Sequence, residues 1–337
     1  MRLFKIFSIF LLVMAAAIYY HEHSSRFQTL SGKIFGTYYN IKINTPIKNN
    51  TLESKVKVVL NEVNATMSMF DPESDISRIN RDESGKPQQL APQLSYLFKN
   101  AAKVYTESGG AFDPTVGPLV NLWGFGVDTV VKIPSEREIA EVLPHIGFDK
   151  LHFNDDFTTL QKTDPNVYID LSAIAKGYGV DRIAEMLHAE GYHDFVVEIG
   201  GEVRVSGTRD GLNPWSVGIA RPSAEGSRNA FVLDLTDYAV ATSGDYRNFF
   251  YSGGRRYAHT ISARTGRPVE HNLASVTVFY PNCMLADAYA TAIMALGEKD
   301  GLKMAERLNL PILMFIRGDD DGITMETSSA ARNLIGE

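Results

Sequence analysis

The sequence predicts an α+β fold, a largely antiparallel sheet flanked by helices, on three observations. Its second half carries short β-rich segments separated by Gly, Asn and Asp turns, the pattern of strands paired antiparallel. Two stretches, one after Asp170 and one from Leu285, have the apolar spacing or the alanine content of helices that could cover such a sheet. No phosphate loop of the Gly-Lys-Ser/Thr type occurs anywhere. Gly177-Tyr-Gly179 lacks the third glycine of a dinucleotide fingerprint and falls inside a helical pattern, so a doubly wound nucleotide-binding sheet is disfavoured.

Taken in order, the chain begins with Arg2 and Lys5 ahead of an uncharged, largely apolar run from Ile6 to Tyr20, with Ala15-Ala16-Ala17 near its end. This is the arrangement of an export signal. The run is short of the roughly 20 apolar residues of a membrane span, although Ile18, Tyr19 and Tyr20 extend it into the interface. Cleavage after Ala17 and retention as an anchor are both open. Residues 1–23 are therefore expected to be a signal peptide or N-terminal membrane anchor, and residues 24–337 a folded region exported to the periplasm or the cell exterior.

The chain holds 33 Lys and Arg against 40 Asp and Glu, and without Arg2, Lys5 and Glu22 the balance is 31 against 39, a net charge of −8. Such a surface has no general attraction for nucleic acid. Cys283 is the only cysteine, which excludes an intramolecular disulfide framework and a cysteine-rich metal site.

Gly32 to Ile43 reads as a strand, with Ile34, Tyr39, Ile41 and Ile43 mixed with polar residues and Phe35-Gly36-Thr37 at its middle. Leu52 to Met67 follows as an amphipathic helix. The chain breaks at Pro72 and restarts at a Ser74 or Asp75 cap, and Gln93 to Ser108 forms a further helix ended by Gly109-Gly110. Residues 111–126 are dense in turn formers and aromatics and too apolar for a solvated loop. They read as a packed connection or as the wall of a pocket for a ring ligand, and Gly, Pro, Trp and Phe together favour the wall. Pro134 to Leu143 is a surface helix, in which Ser135 and Glu138 fit a capping box.

Val167 to Leu171 suits a short buried strand, and from Ala173 the residues Ile174, Tyr178, Ile183 and Leu187 recur near helical spacing. The chain thus turns from strand to helix around Asp170 and Ser172. Ser172 is a reasonable N-cap, and free N–H groups in a first turn attract phosphate. Equally, Asp170 and Ser172 could serve only as caps, and Gly177 and Gly179 only close packing. Strands are then expected at Phe195–Ile199, Glu202–Ser206, Trp215–Ala220, Phe231–Leu235, Ala239–Thr242, Tyr257–Ile261 and Ser275–Phe279.

Leu285 to Gly297 is alanine-rich and closed by a glycine at the C-cap position, hence a helix. Asp287 and Thr291 are four apart and share a face. They are hard oxygen donors suited to Mg²⁺, although an N-terminal carboxylate and a hydroxyl bonded to its own backbone would explain them locally. His259 sits in a polar strand exit, as do Thr242 and Ser243, and Arg247, Arg264 and Arg267 would face phosphates or water.

Together these stretches resemble the ApbE family of FAD:protein FMN transferases. The likeness rests on GGAFDPTVGPLVNLWGFG at 109–126, YIDLSAIAKGYGVD at 168–181, TSGDYRN at 242–248, HTISARTGRP at 259–268 and ADAYATAIMALG at 286–297, and covers nearly all of residues 31–315. It implies an ApbE-like (T-fold-like) architecture, with residues 24–337 as one flavin transferase domain. It implies that Phe35, Phe70, Ala111, Phe112, Asp113, Asp170, Lys176 and Ile261 meet FAD, and that Asp287, Thr291 and an oxygen of Ala173, its backbone carbonyl, hold Mg²⁺. Lys176 stands where some relatives carry glutamate, and Ala290 where others place a further acidic group, which leaves one carboxylate at the metal. No cysteine follows the signal, so lipid anchoring is not expected.

The activity so implied is Mg²⁺-dependent transfer of FMN from FAD to a threonine hydroxyl of an exported or membrane redox protein, with AMP released. The acceptor would be a flavoprotein subunit of a respiratory redox complex, and His259 the group that accepts or relays the threonine proton. Two alternatives stand beside it: a periplasmic FAD pyrophosphatase that uses the same site with water as nucleophile, giving FMN and AMP, and a non-catalytic flavin binder or carrier in which the Mg²⁺ site is vestigial.

Overall fold

The computed structural model describes residues 27–126, 132–222, 228–245, 249–318 and 322–336. The expected signal or anchor and Arg247 lie outside the described residues. Among the described residues, no helix is long and apolar enough to cross a membrane.

The described chain opens on a hairpin. Phe27–Ile34 (β1) pairs antiparallel with Thr37–Asn44 (β2) across Phe35-Gly36, whose φ angles are 51° and 72°. Two positive φ values are the mark of a type I′ turn. The single strand expected over Gly32–Ile43 is therefore two strands, because phenylalanine at a left-handed position runs against its own preference and the alternating pattern reads straight through it.

Leu52–Met67 (α1) has the expected bounds, and Asp75–Arg81 (α2) is capped by Ser74, whose hydroxyl accepts from the Ser77 amide at 3.1 Å. Pro92–Glu107 (α3) ends before the left-handed Gly109 and Gly110. Gly117–Leu122 (α4) lies within the apolar 111–126 stretch, and Glu136–Val142 (α5) carries the expected capping box of Ser135 with Glu138. Gln88–Gln89 (β3), Leu151–Phe153 (β4) and Thr159–Lys162 (β5) form a small separate sheet.

Ser172–Ala189 (α6) is followed by Phe195–Ile199 (β6), Glu202–Ser206 (β7), Trp215–Arg221 (β8), Arg228–Leu235 (β9) and Ala239–Gly244 (β10). Phe249–Ser252 (β11) and Arg255–Ala258 (β12) make a ribbon, and Leu273–Tyr280 (β13) leads into Cys283–Leu308 (α7). Gly297, at φ 78°, interrupts α7 where the sequence placed a C-cap. Ile312–Arg317 (β14), Ile323–Thr327 (β15) and Ser329–Ile335 (α8) close the chain.

Eight strands form one antiparallel sheet in the order β1-β2-β6-β7-β10-β13-β14-β15. Helices α6 and α7 pack on one of its faces. The other is covered by the β8–β9 hairpin, where Trp215, Ile219 and Leu235 meet Val205, Phe279 and Phe315. Central β13 is accordingly buried from Leu273 through Phe279, and each large apolar side chain so buried contributes roughly 1.5–3 kcal/mol.

Val167–Leu171 does not join a sheet, contrary to the expected strand. Side chains hold it instead. The Asn80 amide donates to the Ile169 carbonyl at 2.9 Å, and its oxygen accepts from the Ile169 N–H at 2.7 Å, so one side chain imitates a neighbouring strand. The buried Lys162 ammonium donates to the carbonyls of Asn80, Pro165 and Val167 at 2.9, 3.1 and 3.3 Å. The Asp170 amide donates to the Pro114 carbonyl at 2.6 Å, which ties the segment to the 111–116 loop.

Candidate active site

A cavity of about 690 Å³ opens where the C-terminal end of β10, the N-terminal halves of α6 and α7, the β1–β2 turn and the 111–116 loop converge. The residues expected to meet FAD, the metal or the transferred proton all line it: Phe35, Phe70, Ala111, Phe112, Asp113, Asp170, Ala173, Lys176, His259, Ile261, Asp287 and Thr291. Its size suits a small-molecule ligand.

Two glycines of α6 set the geometry. A Cβ on Gly177 would lie 2.3 Å from the carbonyl oxygen of Cys283, so only glycine lets α6 touch the first turn of α7. One turn later the buried Asp181 accepts from the amides of Cys283 and Met284 at 3.0 and 2.8 Å, satisfying N–H groups that open α7. A Cβ on Gly179 would come within 3.0 Å of the Phe35 ring, which reaches in from the β1–β2 turn. Gly177 and Gly179 thus do serve close packing, and that packing also builds the cavity.

The walls are largely apolar. Phe112 and Ile261 are buried, whereas Phe70 stands 71% exposed. From the aromatic 111–126 stretch, residues 111–114, Val116 and Val120 reach the cavity. Trp123 does not: it is buried behind the wall with Leu119, Ile139 and Ile261, its indole N–H donating to the Gly266 carbonyl at 2.8 Å. The wall expected for this stretch is thus partly wall and partly packed support.

Asp113 and Asp170 use their carboxylates to fix the backbone. Asp113 accepts from the Thr115 amide and hydroxyl at 2.8 and 2.6 Å and from the Phe148 amide at 3.2 Å. Burial raises its carboxyl above the ordinary range against the pull of the Thr115 and Phe148 donors. Asp170 accepts from the Ser172 amide at 2.8 Å, so the turn into α6 is closed by Asp170 and not by Ser172, which is the first helical residue and makes no capping bond.

The charged centre joins three elements. Lys176 Nζ on α6 lies 3.5 Å from Oδ2 of Asp287 on α7 and 3.3 Å from Oε1 of Glu202 on β7. Oδ2 of Asp287 also accepts from the Gly177 amide at 3.1 Å. Burial draws the Lys176 ammonium downward, but the charges of Asp287 and Glu202 outweigh it and hold the lysine charged well above its usual range. Burial raises both carboxyls, with Lys176 opposing.

The donor set fits Mg²⁺. Ala173, Asp287 and Thr291 border one cavity and offer a carbonyl, a carboxylate and a hydroxyl, the hard oxygens this ion takes. Lys176 already brings a cation to Asp287. Among the described residues no group of three or more His, Cys, Asp and Glu side chains could hold a metal ion.

His259 lies in the wall just past β12, with Phe125 packed edge-on at 6.3 Å. The basic turn behind it faces elsewhere: Arg267 pairs with Glu136 on α5, and Arg264 is exposed. Glu202 is the site residue that the sequence did not disclose. It reads as a polar residue opening a strand, and the Gly200-Gly201 turn before it, at φ 64° and 109°, was the one available signal.

The ApbE family model matches residues 35–314. The chain is 42% identical over 313 residues to a FAD:protein FMN transferase of Vibrio cholerae, covering 91% of this chain and 92% of that protein. It is 37% identical to one of Haemophilus influenzae, covering 95% of each. The solved flavin transferase ApbE of Vibrio cholerae superposes with a TM-score of 0.84 at 39% identity, covering 91% of this chain and 99% of that one.

Proposed function

Since the chain belongs to the ApbE family, we propose that it is a FAD:protein FMN transferase that moves FMN to a threonine hydroxyl of an acceptor protein and releases AMP. The acceptor in this reading is an exported or membrane flavoprotein subunit of a respiratory redox complex. The basic and then apolar run at the N-terminus supports action in the periplasm, with attachment to the inner membrane where that run is retained.

The observation that carries the reading is the meeting of Asp287, Glu202 and Lys176 in one apolar-walled cavity. With all three ionised, two carboxylates around one ammonium leave a net negative charge, which repels a pyrophosphate unless a further cation is present. Asp287, Thr291 and the Ala173 carbonyl would hold Mg²⁺, whose charge offsets that of the pyrophosphate and of the departing AMP. Phe35 and Phe70 offer flat apolar faces to ring systems. Phe112, Ile261 and the Ala111–Asp113 backbone exclude water from the wall.

In the transfer, the threonine oxygen bonds to the FMN-side phosphorus and the bond to the bridging oxygen breaks. AMP leaves with that oxygen, and the hydroxyl proton passes to a base. His259 is assigned that proton, since it lines the cavity and a ring nitrogen of an imidazole can accept and pass on a proton.

The test is intact-mass analysis of a threonine-bearing acceptor domain after incubation with the purified chain, FAD and Mg²⁺. A metal-dependent FMN adduct on threonine is expected. AMP and free FMN without an adduct would identify a pyrophosphatase, and bound FAD without AMP a carrier.

A further inference from the structure

Glu202, first residue of β7, is 5% exposed. Its Oε1 lies 3.3 Å from Lys176 Nζ, while its Oε2 is buried without a hydrogen-bond partner. An unpaired carboxylate oxygen is costly to bury, and this side chain lines the same cavity as Asp287. Lys176 therefore stands between two carboxylates at nearly equal distances, 3.3 and 3.5 Å. One carboxylate comes from the sheet and the other from α7.

We propose that Glu202 and Asp287 serve a single cation position as a pair, Glu202 taking up the Lys176 ammonium as Asp287 passes to the divalent metal. Glu202 is then a positioning residue, which acts on the metal by drawing Lys176 away from the carboxylate that binds it. The inference rests on the metal reading of the preceding section. It also supplies, from β7, the second negative charge that Ala290 does not provide on α7. Without Glu202, Asp287 is the ammonium's one carboxylate partner within 4 Å among the described residues, and the ammonium competes with the metal there. Without Lys176 that competition is gone.

The experiment is a titration of the purified chain with Mn²⁺ in the absence of FAD, following free Mn²⁺ by electron paramagnetic resonance. Groups that orient a ligating carboxylate commonly change metal affinity by about 10–100-fold. Glu202→Gln is expected to weaken binding at least about tenfold, and Lys176→Met to tighten it about tenfold. In the Lys176→Met background, Glu202→Gln is expected to cost no more than about twofold, since the relay it serves has been removed. Equal losses from Glu202→Gln in both backgrounds would mean that Glu202 acts only as a distant charge, and would overturn the inference. Binding unchanged or weakened by Lys176→Met would overturn it as well, and that variant stands whether or not Glu202→Gln folds. Undiminished Mn²⁺ binding by Asp287→Ala would instead remove the metal reading itself.

Discussion

The backbone amide of Gly177 donates to Oδ2 of Asp287 across 3.1 Å. The helix that starts at the Asp170 turn and the helix that carries the candidate metal ligands are thus joined inside the cavity. Asp181, one turn further along α6, secures the same junction by capping α7. Lys176, next to Gly177 in sequence, is carried into reach of both carboxylates by the same crossing.

Gly177→Ala tests that junction. The added methyl would meet the Cys283 carbonyl oxygen at 2.3 Å and the Met284 Cα at 2.8 Å, both backbone atoms. Overpacking of this kind typically costs 1–3 kcal/mol, and the upper end, about 3 kcal/mol, is expected here. Chemical denaturation would measure the loss, and Mn²⁺ titration should show weakened binding in the protein that remains folded.

Gly179→Ala should act more mildly. Its methyl would sit 3.0 Å from Phe35 Cε2 and 3.3 Å from Ile199 Cδ1, side-chain atoms that can yield. A stability loss below about 1.5 kcal/mol is expected, with FAD binding weakened up to about tenfold as the Phe35 ring is displaced. Quenching of flavin fluorescence would report it.

Asn80→Ala should loosen the turn that delivers Asp170. It removes both hydrogen bonds to Ile169, whose own side chain is buried, and leaving backbone groups unpaired costs about 1–3 kcal/mol. Faster amide hydrogen exchange at Ile169 is expected, together with reduced AMP release.

The capping box of α5 gives a pH dependence. The Lys132 hydrogen bond, then the Ser135 amide and hydroxyl, hold the Glu138 carboxyl down at about 2 against an ordinary 4.5. A depressed carboxyl contributes stability that is present above 4.5 and is lost as pH falls through about 2. Glu138→Gln should therefore melt below the parent chain at pH 7, and melting curves in acid should converge as pH approaches about 2.

The sequence disclosed most where local chemistry decides structure. Ser74, Ser135 with Glu138, and Gly109 with Gly110 act at helix ends as their side chains or φ angles require. Most strands expected from Phe195 to Phe279 follow their hydrophobic pattern, but the one expected over Tyr257–Ile261 does not: its strand is Arg255–Ala258, and Ile261 makes an isolated bridge to Pro268 beyond it. The sequence misled where structure depends on distant partners. Val167–Leu171 has a strand's composition, but Asn80 and Lys162 hold it in place of a neighbouring strand. The turn at Phe35-Gly36 was hidden because phenylalanine opposes the φ it adopts. Glu202 gains meaning only when the fold brings Lys176 to it. Motif order drew the other site residues toward one place, and the cavity gathers them.

The most direct test of the central claim is Mg²⁺-dependent AMP release from FAD by the purified chain and by Asp287→Ala, with FAD binding measured in parallel. Asp287→Ala is expected to bind FAD still and to release no AMP above background. Full AMP release by Asp287→Ala would contradict the assignment of this cavity as the metal-dependent transfer site.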